Sequence, residues 1–188
     1  MSDPSARGGV PTSSTPILHC CETWHALARE GRILDNRPEQ NETWTAIEWM
    51  QNELLRPLEE EFGVVLLSYG FAGSELVAAV RSRAATARRP PGIAPELDQH
   101  AGYELDAHGA RICERDGIAV DLHVPGRPTG TIRDWIASRL PFDRLYFYAD
   151  DRPLHLSWAP EPIGQVVEMR VQAGGAATPR VVVRGRGA

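Results

Sequence analysis

Three short stretches of this chain set metal-type ligands among residues that favour ordered backbone: Gln99-His100, Gly117-Ile118-Ala119-Val120-Asp121-Leu122-His123 and Leu154-His155-Leu156-Ser157. Side chains along a strand point alternately to opposite faces, so Asp121 and His123 share one face while Val120, Leu122 and Val124 turn to the other. His155 and Ser157 separate from Leu154, Leu156 and Trp158 in the same way. Two strands that are apolar on one face and offer a carboxylate or imidazole on the other suit a divalent cation, whose ligands must be held rigidly at about 2 Å. Asp121 carries the most weight, because a carboxylate within an apolar strand needs an ionic partner. A metal is one candidate, and Arg144 or Arg152 is the other. His123 also fits a partly exposed strand residue, and His108, beside Gly109, fits loop surface.

Periodicity outlines the elements that must position these groups. Thr43 to Phe62 carries Trp44, Ile47, Leu54, Leu55, Leu58 and Phe62 at near-helical spacing; Gly63 stops the helix, and Pro57 predicts a kink or break within it. Val64 to Tyr69 reads as a buried strand turning at Gly70, and Ser74 is placed to cap a helix from Glu75 to Arg83 or beyond. Pro90, Pro91, Gly92 and Pro95 precede a short helix expected from Glu96 to about Leu105, on which His100 and Glu104 would converge one turn apart. Ala107 to Asp116 reads as exposed loop, followed by a strand from Ile118 to Val124. Thr131 to Leu140 is an amphipathic helix with Ile132, Trp135, Ile136 and Leu140 inward. Arg144–Tyr148 and Leu154–Trp158 form a hairpin around the turn residues Asp150-Asp151-Arg152-Pro153, and Val166 to Val171 is a further strand. Nearer the amino terminus, Ile17 to Ala28 reads as a short helix and Gly31 to Gln40 as loop, with Trp24, Trp44 and Trp49 packing the core. The expected fold is α+β, a small and mostly antiparallel sheet flanked by helices. It comprises a flexible leader at 1–16, one domain at 17–172 and a mobile tail at 173–188, where Val181-Val182-Val183 could add an edge strand.

Composition narrows the function classes. A chain of 188 residues fits a single domain, and a net charge of -5 argues against general nucleic-acid binding, which depends on neutralising phosphates. The arginines between Arg81 and Arg89 read as a solvated helix end and loop. No apolar run reaches the roughly 20 residues of a membrane span, and Met1 to Pro16 lacks the apolar core of a secretory signal, so no membrane partner and a cytoplasmic location are expected. Cys20, Cys21 and Cys113 are odd in number and read as reduced thiols, Cys113 as a buried inert cysteine rather than a nucleophile. His19 and His25 flank Cys20-Cys21 without the spacing of a structural zinc motif.

The order of motifs, a Ser-Tyr-Gly-Phe strand end, a helix, a Gln-His, a Gly-x-Ala-x-Asp strand, an amphipathic helix and a late strand His, resembles the zinc D-alanyl-D-alanine carboxypeptidase family, of Hedgehog/DD-peptidase fold. The resemblance spans about Val64 to Pro160. It implies one zinc ion per chain held by two histidines and an aspartate, with Asp121 and His155 as two ligands. The family's first His would fall at Glu114, so His100 takes that role if Ala101 to Asp116 is a looped-out insertion, with His123 or Glu114 as substitutes. The fourth position would belong to a water acidified by the metal.

Two departures concern catalysis. The family's catalytic carboxylate lies three residues before the late His, where this chain has Arg152. Asp151, Glu104, Asp150 or Glu161 would then have to serve as base, Asp151 being nearest in sequence, although Asp150-Asp151 also fits plain turn chemistry. The family's substrate-orienting Arg is likewise missing after Ser68-Tyr69-Gly70-Phe71, and Arg152 could replace it from the other side. The implied activity is a zinc hydrolase acting on an amide bond of a small peptide or peptide-like metabolite; the alternative is a divergent metal-binding member of the fold with a binding or non-peptidase role.

Overall fold

A computed structural model describes residues 15–32, 34–88, 94–171 and 177–184. Its strands are β1 (Leu66–Tyr69), β2 (Ile118–His123), β3 (Arg144–Phe147), β4 (Leu154–Trp158), β5 (Gln165–Val171) and β6 (Ala177–Arg184). They form one mixed sheet in the order β1-β2-β4-β3-β5-β6, antiparallel at every pairing except the parallel β3 and β5. The architecture is α+β, as expected. Near the carboxy terminus, 177–184 is an edge strand paired along β5; it includes the Val181-Val182-Val183 run expected to add one and extends beyond it into the stretch expected to be tail. The leader at 1–14, the Pro90-Pro91-Gly92 interruption and 185–188 lie outside the described residues.

The helices are α1 (Thr15–Leu18), α2 (Glu22–Arg29), α3 (Asn41–Trp49), α4 (Arg56–Phe62), α5 (Ser74–Ala87) and α6 (Thr129–Arg139). The region expected to be one helix from Ile17 to Ala28 is therefore two. Between α3 and α4 the chain widens into a π-helical segment, Met50–Leu55. Pro57 explains it: proline has no N–H for the carbonyl one turn back, and its ring crowds that carbonyl, which a widened turn relieves. Ser74 opens α5 without capping it; Gly73 holds the cap position and has no side chain to bond the first turn.

One face of the sheet packs on the helices. Val120 and Leu122 of β2 pair with Leu156 and Leu154 of β4, and all four are fully buried in a cluster that also takes in Ile47, Met50, Leu54, Leu58, Ile132 and Ile136. The tryptophans contribute less than expected, since Trp44 and Trp49 are largely exposed and Trp49 stacks on Trp158 at the edge of this core. Two glycines permit close approaches that a side chain would block. A Cβ on Gly117 would lie 1.8 Å from the Trp158 carbonyl oxygen, and its φ of +101° is itself unfavourable for other residues. A Cβ on Gly70 would lie 2.1 Å from the Ile17 carbonyl oxygen.

The opposite face carries the polar groups. Register aligns Tyr69, Asp121, His155, Tyr146, Val167 and Val181 in one row across all six strands. The alternation that buries Val120 and Leu122 on one side thus presents Asp121 and His155 side by side on the other.

Candidate metal centre

Asp121 and His155 are direct cross-strand neighbours, and His155 Nδ1 lies 2.9 Å from Asp121 Oδ1. His100 reaches them from a different direction. The expected helix from Glu96 to Leu105 is a series of turns instead, and Gln99 within it adopts a left-handed φ of 64°. That conformation costs a non-glycine residue about 1 kcal/mol. The buried Gln99 amide offsets it by donating to the Asp116 carbonyl at 2.6 Å and to Asp143 Oδ2 at 3.1 Å. Asp116 ends the 101–116 segment and Asp143 lies beyond it, so these bonds close the segment's base, while a Leu105–Arg111 bridge closes its middle. The segment loops out, and His100 meets Asp121.

His100 is fully buried, and its Nδ1 lies 2.9 Å from the Gly70 carbonyl oxygen. A proton on Nδ1 donated to that carbonyl directs Nε2 at the site, the usual outer-shell arrangement for a metal-binding imidazole. His100 Nε2 faces Asp121 Oδ1 at 3.4 Å, close enough for ionic attraction but long for a hydrogen bond. Nε2 of His100 and of His155 are both buried without a hydrogen-bond partner. One ligand atom from each of His100, Asp121 and His155 lies within 4.8 Å of the others, so this group could hold a metal ion. Donors each about 2 Å from a tetrahedral ion stand about 3.3 Å apart, and the 3.4 Å between His100 Nε2 and Asp121 Oδ1 is close to that value.

Charge at the site is strongly coupled. Burial alone would push the His100 imidazolium down, but Asp98 and Asp121 outweigh it and raise its pKa to about 9. Burial would likewise raise Asp121, yet His100 and then His155 hold its carboxyl well below the usual range. Without a metal, the cation between Asp121 and Asp98 is therefore the proton on His100.

Asp121 and His155 open onto a cleft of ≈ 480 Å³ that is also lined by Asp98, Arg115, Tyr146 and Tyr148. Asp98 is not singled out by the sequence, where it falls within the expected Glu96–Leu105 helix. In the fold its Oδ2 lies 3.9 Å from His100 Nε2 and accepts a bond from the Ala94 N–H at 2.7 Å. Burial, with Asp121 and Asp98 nearby, pushes the Tyr148 phenol up to about 12.

The residues expected to supply catalysis lie elsewhere. Glu104 is buried, but its carboxylate accepts bonds from Glu39 N–H at 3.0 Å, Gln40 N–H at 3.2 Å and the Thr43 hydroxyl at 2.8 Å. It satisfies the amino terminus of α3 and does not converge with His100 on one helix face. Asp150 does the same for α6, accepting the Gly130 N–H at 2.8 Å. Asp151 and Arg152 are exposed on the β3–β4 turn, and neither lines the cleft; Arg152 uses its carbonyl to accept the Thr129 hydroxyl. Glu161 is exposed in a different groove. The substitute ligands also separate from the site, since His123 is exposed at the end of β2 and Glu114 is exposed in the insertion. Arg144 is ion-paired to Asp143, so the partners of Asp121 are the two histidines. Cys20, Cys21 and Cys113 are free thiols, Cys113 fully buried. Among the described residues no helix is long and apolar enough to cross a membrane.

No family model, curated protein or solved structure matches this chain.

Proposed function

We propose that the protein is a zinc-dependent hydrolase that cleaves an amide bond in a small peptide or peptide-like metabolite, as its resemblance to the zinc D-alanyl-D-alanine carboxypeptidases and their Hedgehog/DD-peptidase fold implies. The observation that carries the reading is the convergence of His100, Asp121 and His155 beside a substrate-sized cleft. Two imidazoles and one carboxylate are a borderline donor set suited to zinc, with fewer than four protein ligands, the mark of a catalytic rather than a structural site. Zinc held there would supply an acidified water and a Lewis acid for the scissile carbonyl. The chain's own groups divide the rest. Asp98, the cleft's other carboxylate, is placed to take the proton of the attacking water. Tyr148, kept neutral with its pKa at about 12, can donate a hydrogen bond to the carbonyl oxygen as charge develops there.

Metal analysis and a dipeptide panel test this together. Purified protein should hold one zinc per chain and cleave at least one panel member. Asp98→Asn should keep the zinc and lose turnover by about 100-fold or more. Failure to take up zinc on reconstitution would sink the proposal. The second reading, a metal-binding protein with a binding or non-peptidase role, is favoured by one observation: an exposed Arg152 stands where the resembled family keeps its carboxylate. It predicts stoichiometric zinc and no cleavage across the panel.

A further inference from the structure

We infer that the cleft selects a carboxylate-bearing substrate with a bulky apolar group, an N-acyl or peptidyl derivative of a branched or aromatic amino acid. This rests on the hydrolase reading for which bond is cut, but the binding claim is measured separately.

The carboxylate is called for by Arg115. This residue ends the insertion between His100 and Gly117 and lines the cleft with Asp121 and His155. Its Nη1 donates only to neutral acceptors, the Leu97 carbonyl and the Tyr146 hydroxyl, the latter at 3.1 Å. Arg81, Arg83, Arg111, Arg133 and Arg144 all face carboxylates, whereas Arg115 has none within 4.0 Å among the described residues. The cleft's own acids cannot neutralise it, because Asp121 and Asp98 face His100. Arg115 also borders the neighbouring groove of Asp116, Asp143 and Glu161 without pairing to any of them; among the described residues its Nη1 alone is held, by two neutral acceptors, and the Nε–Nη2 edge is a fork suited to a carboxylate.

The apolar group is called for by the far end of the row. Beyond His155 and Tyr146 the same register continues into Val167 and Val181, and Met169 and Pro179 line the cleft beside them. Leu97, 60% exposed, and Val181, 43% exposed, face this space without apolar cover. From His155 to Val167 is two strand spacings, about 10 Å, the reach of a dipeptide or an acylated amino acid. Arg115, bonded to Tyr146 on the strand between, thus sits between a hydrolytic end and an apolar wall.

Calorimetry of the zinc-treated full chain with three probes tests the inference, with metal content measured on the same sample. Racemic N-acetylleucine should bind about tenfold or more tighter than N-acetylleucinamide, which lacks the carboxylate, and about tenfold tighter than N-acetylglycine, which lacks the side chain. Arg115→Gln should abolish the preference for acid over amide, with Arg115→Lys keeping part of it. Met169→Ala should weaken N-acetylleucine several-fold and leave N-acetylglycine unchanged. Equal binding of the acid and amide, or of the leucine and glycine probes, to the unmodified protein overturns the inference however the variants fold. Selective, Arg115-dependent binding by a sample without zinc upholds it while removing the hydrolase reading.

Discussion

Lowering the pH from about 8.5 to about 7 should weaken zinc binding by roughly 30-fold, because a proton and the metal compete for one nitrogen of His100. Nδ1 of that ring is committed to the Gly70 carbonyl, so Nε2 is the nitrogen open to a metal. Asp98 and Asp121, prevailing over burial, raise the pKa of His100 to about 9 in the metal-free protein, so at neutral pH a proton must leave before zinc enters. The sign follows: below about 9, each pH unit lost costs a factor of ten in apparent affinity. A drop of 1.5 units costs about 2 kcal/mol. Asp121, held well below the usual carboxylate range, stays ionised throughout this window and contributes no proton. Ionisation of a zinc-bound water would act in the same direction, so the expected slope is at least one proton per metal. Competition against a chromophoric chelator at both pH values gives the affinities, and calorimetry in two buffers of different ionisation enthalpy counts the protons. An affinity that changes less than about threefold, with no proton released, would refute both the assignment of Nε2 as a ligand and the charge balance argued for the site.

Two further substitutions separate fold from chemistry. Glu104→Ala leaves Glu39 N–H, Gln40 N–H and the Thr43 hydroxyl without their acceptor, and should cost about 2–3 kcal/mol in denaturant unfolding while zinc stoichiometry is unchanged; unaltered stability with lost turnover would instead restore Glu104 as the base. Gly117→Ala drives a methyl into the Trp158 carbonyl and should destabilise by about 3 kcal/mol or more, loosening the β2–β4 pairing that sets Asp121 against His155. A variant within about 1 kcal/mol of the parent would show that the strands part without cost.

The parts of the fold readable from sequence are those where one period dominates. Strict alternation in Val120-Asp121-Leu122 and Leu154-His155-Leu156 defines both the buried face and the polar one, and the apolar stripe of Ile132 and Ile136 marks α6. Elsewhere long-range partners override local pattern. The Glu96–Leu105 stretch has helical spacing, but Gln99 is drawn into a left-handed turn by Asp116 and Asp143, and Glu104 is drawn away by the donors at the start of α3 and just before it. Asp98 was unreadable for the same reason, since only the folded turn brings it back over His100. The run at 181–183 has the β-branched content of a strand, yet its place in the sheet rests on β5, whose parallel pairing with β3 is a non-local contact that no local period encodes.

The same reasoning explains how residues far apart in sequence come together at this site. His100 and Asp121 are separated by the looped-out 101–116 segment, but the geometry of the group depends only on where the two backbones are anchored. Gln99 ties the approach to His100 onto Asp116 and onto Asp143, a buried carboxylate that also binds the Ile163 N–H beside β5. Asn36 bonds the Phe71 carbonyl at 3.0 Å and the Gly73 N–H at 2.8 Å, and so fixes the loop that presents Gly70 to the His100 ring. Each ligand is thus held by hydrogen bonds from elements far from it in sequence. The insertion can then acquire a role of its own. Because its base is closed at Gln99 and Asp116, its last residue but one, Arg115, is delivered to the cleft beside the ligands it separates. The loop thus brings a cation into the cleft beside Asp121 and His155, where Arg152 does not reach, which is why Arg115 rather than Arg152 is the arginine to mutate first.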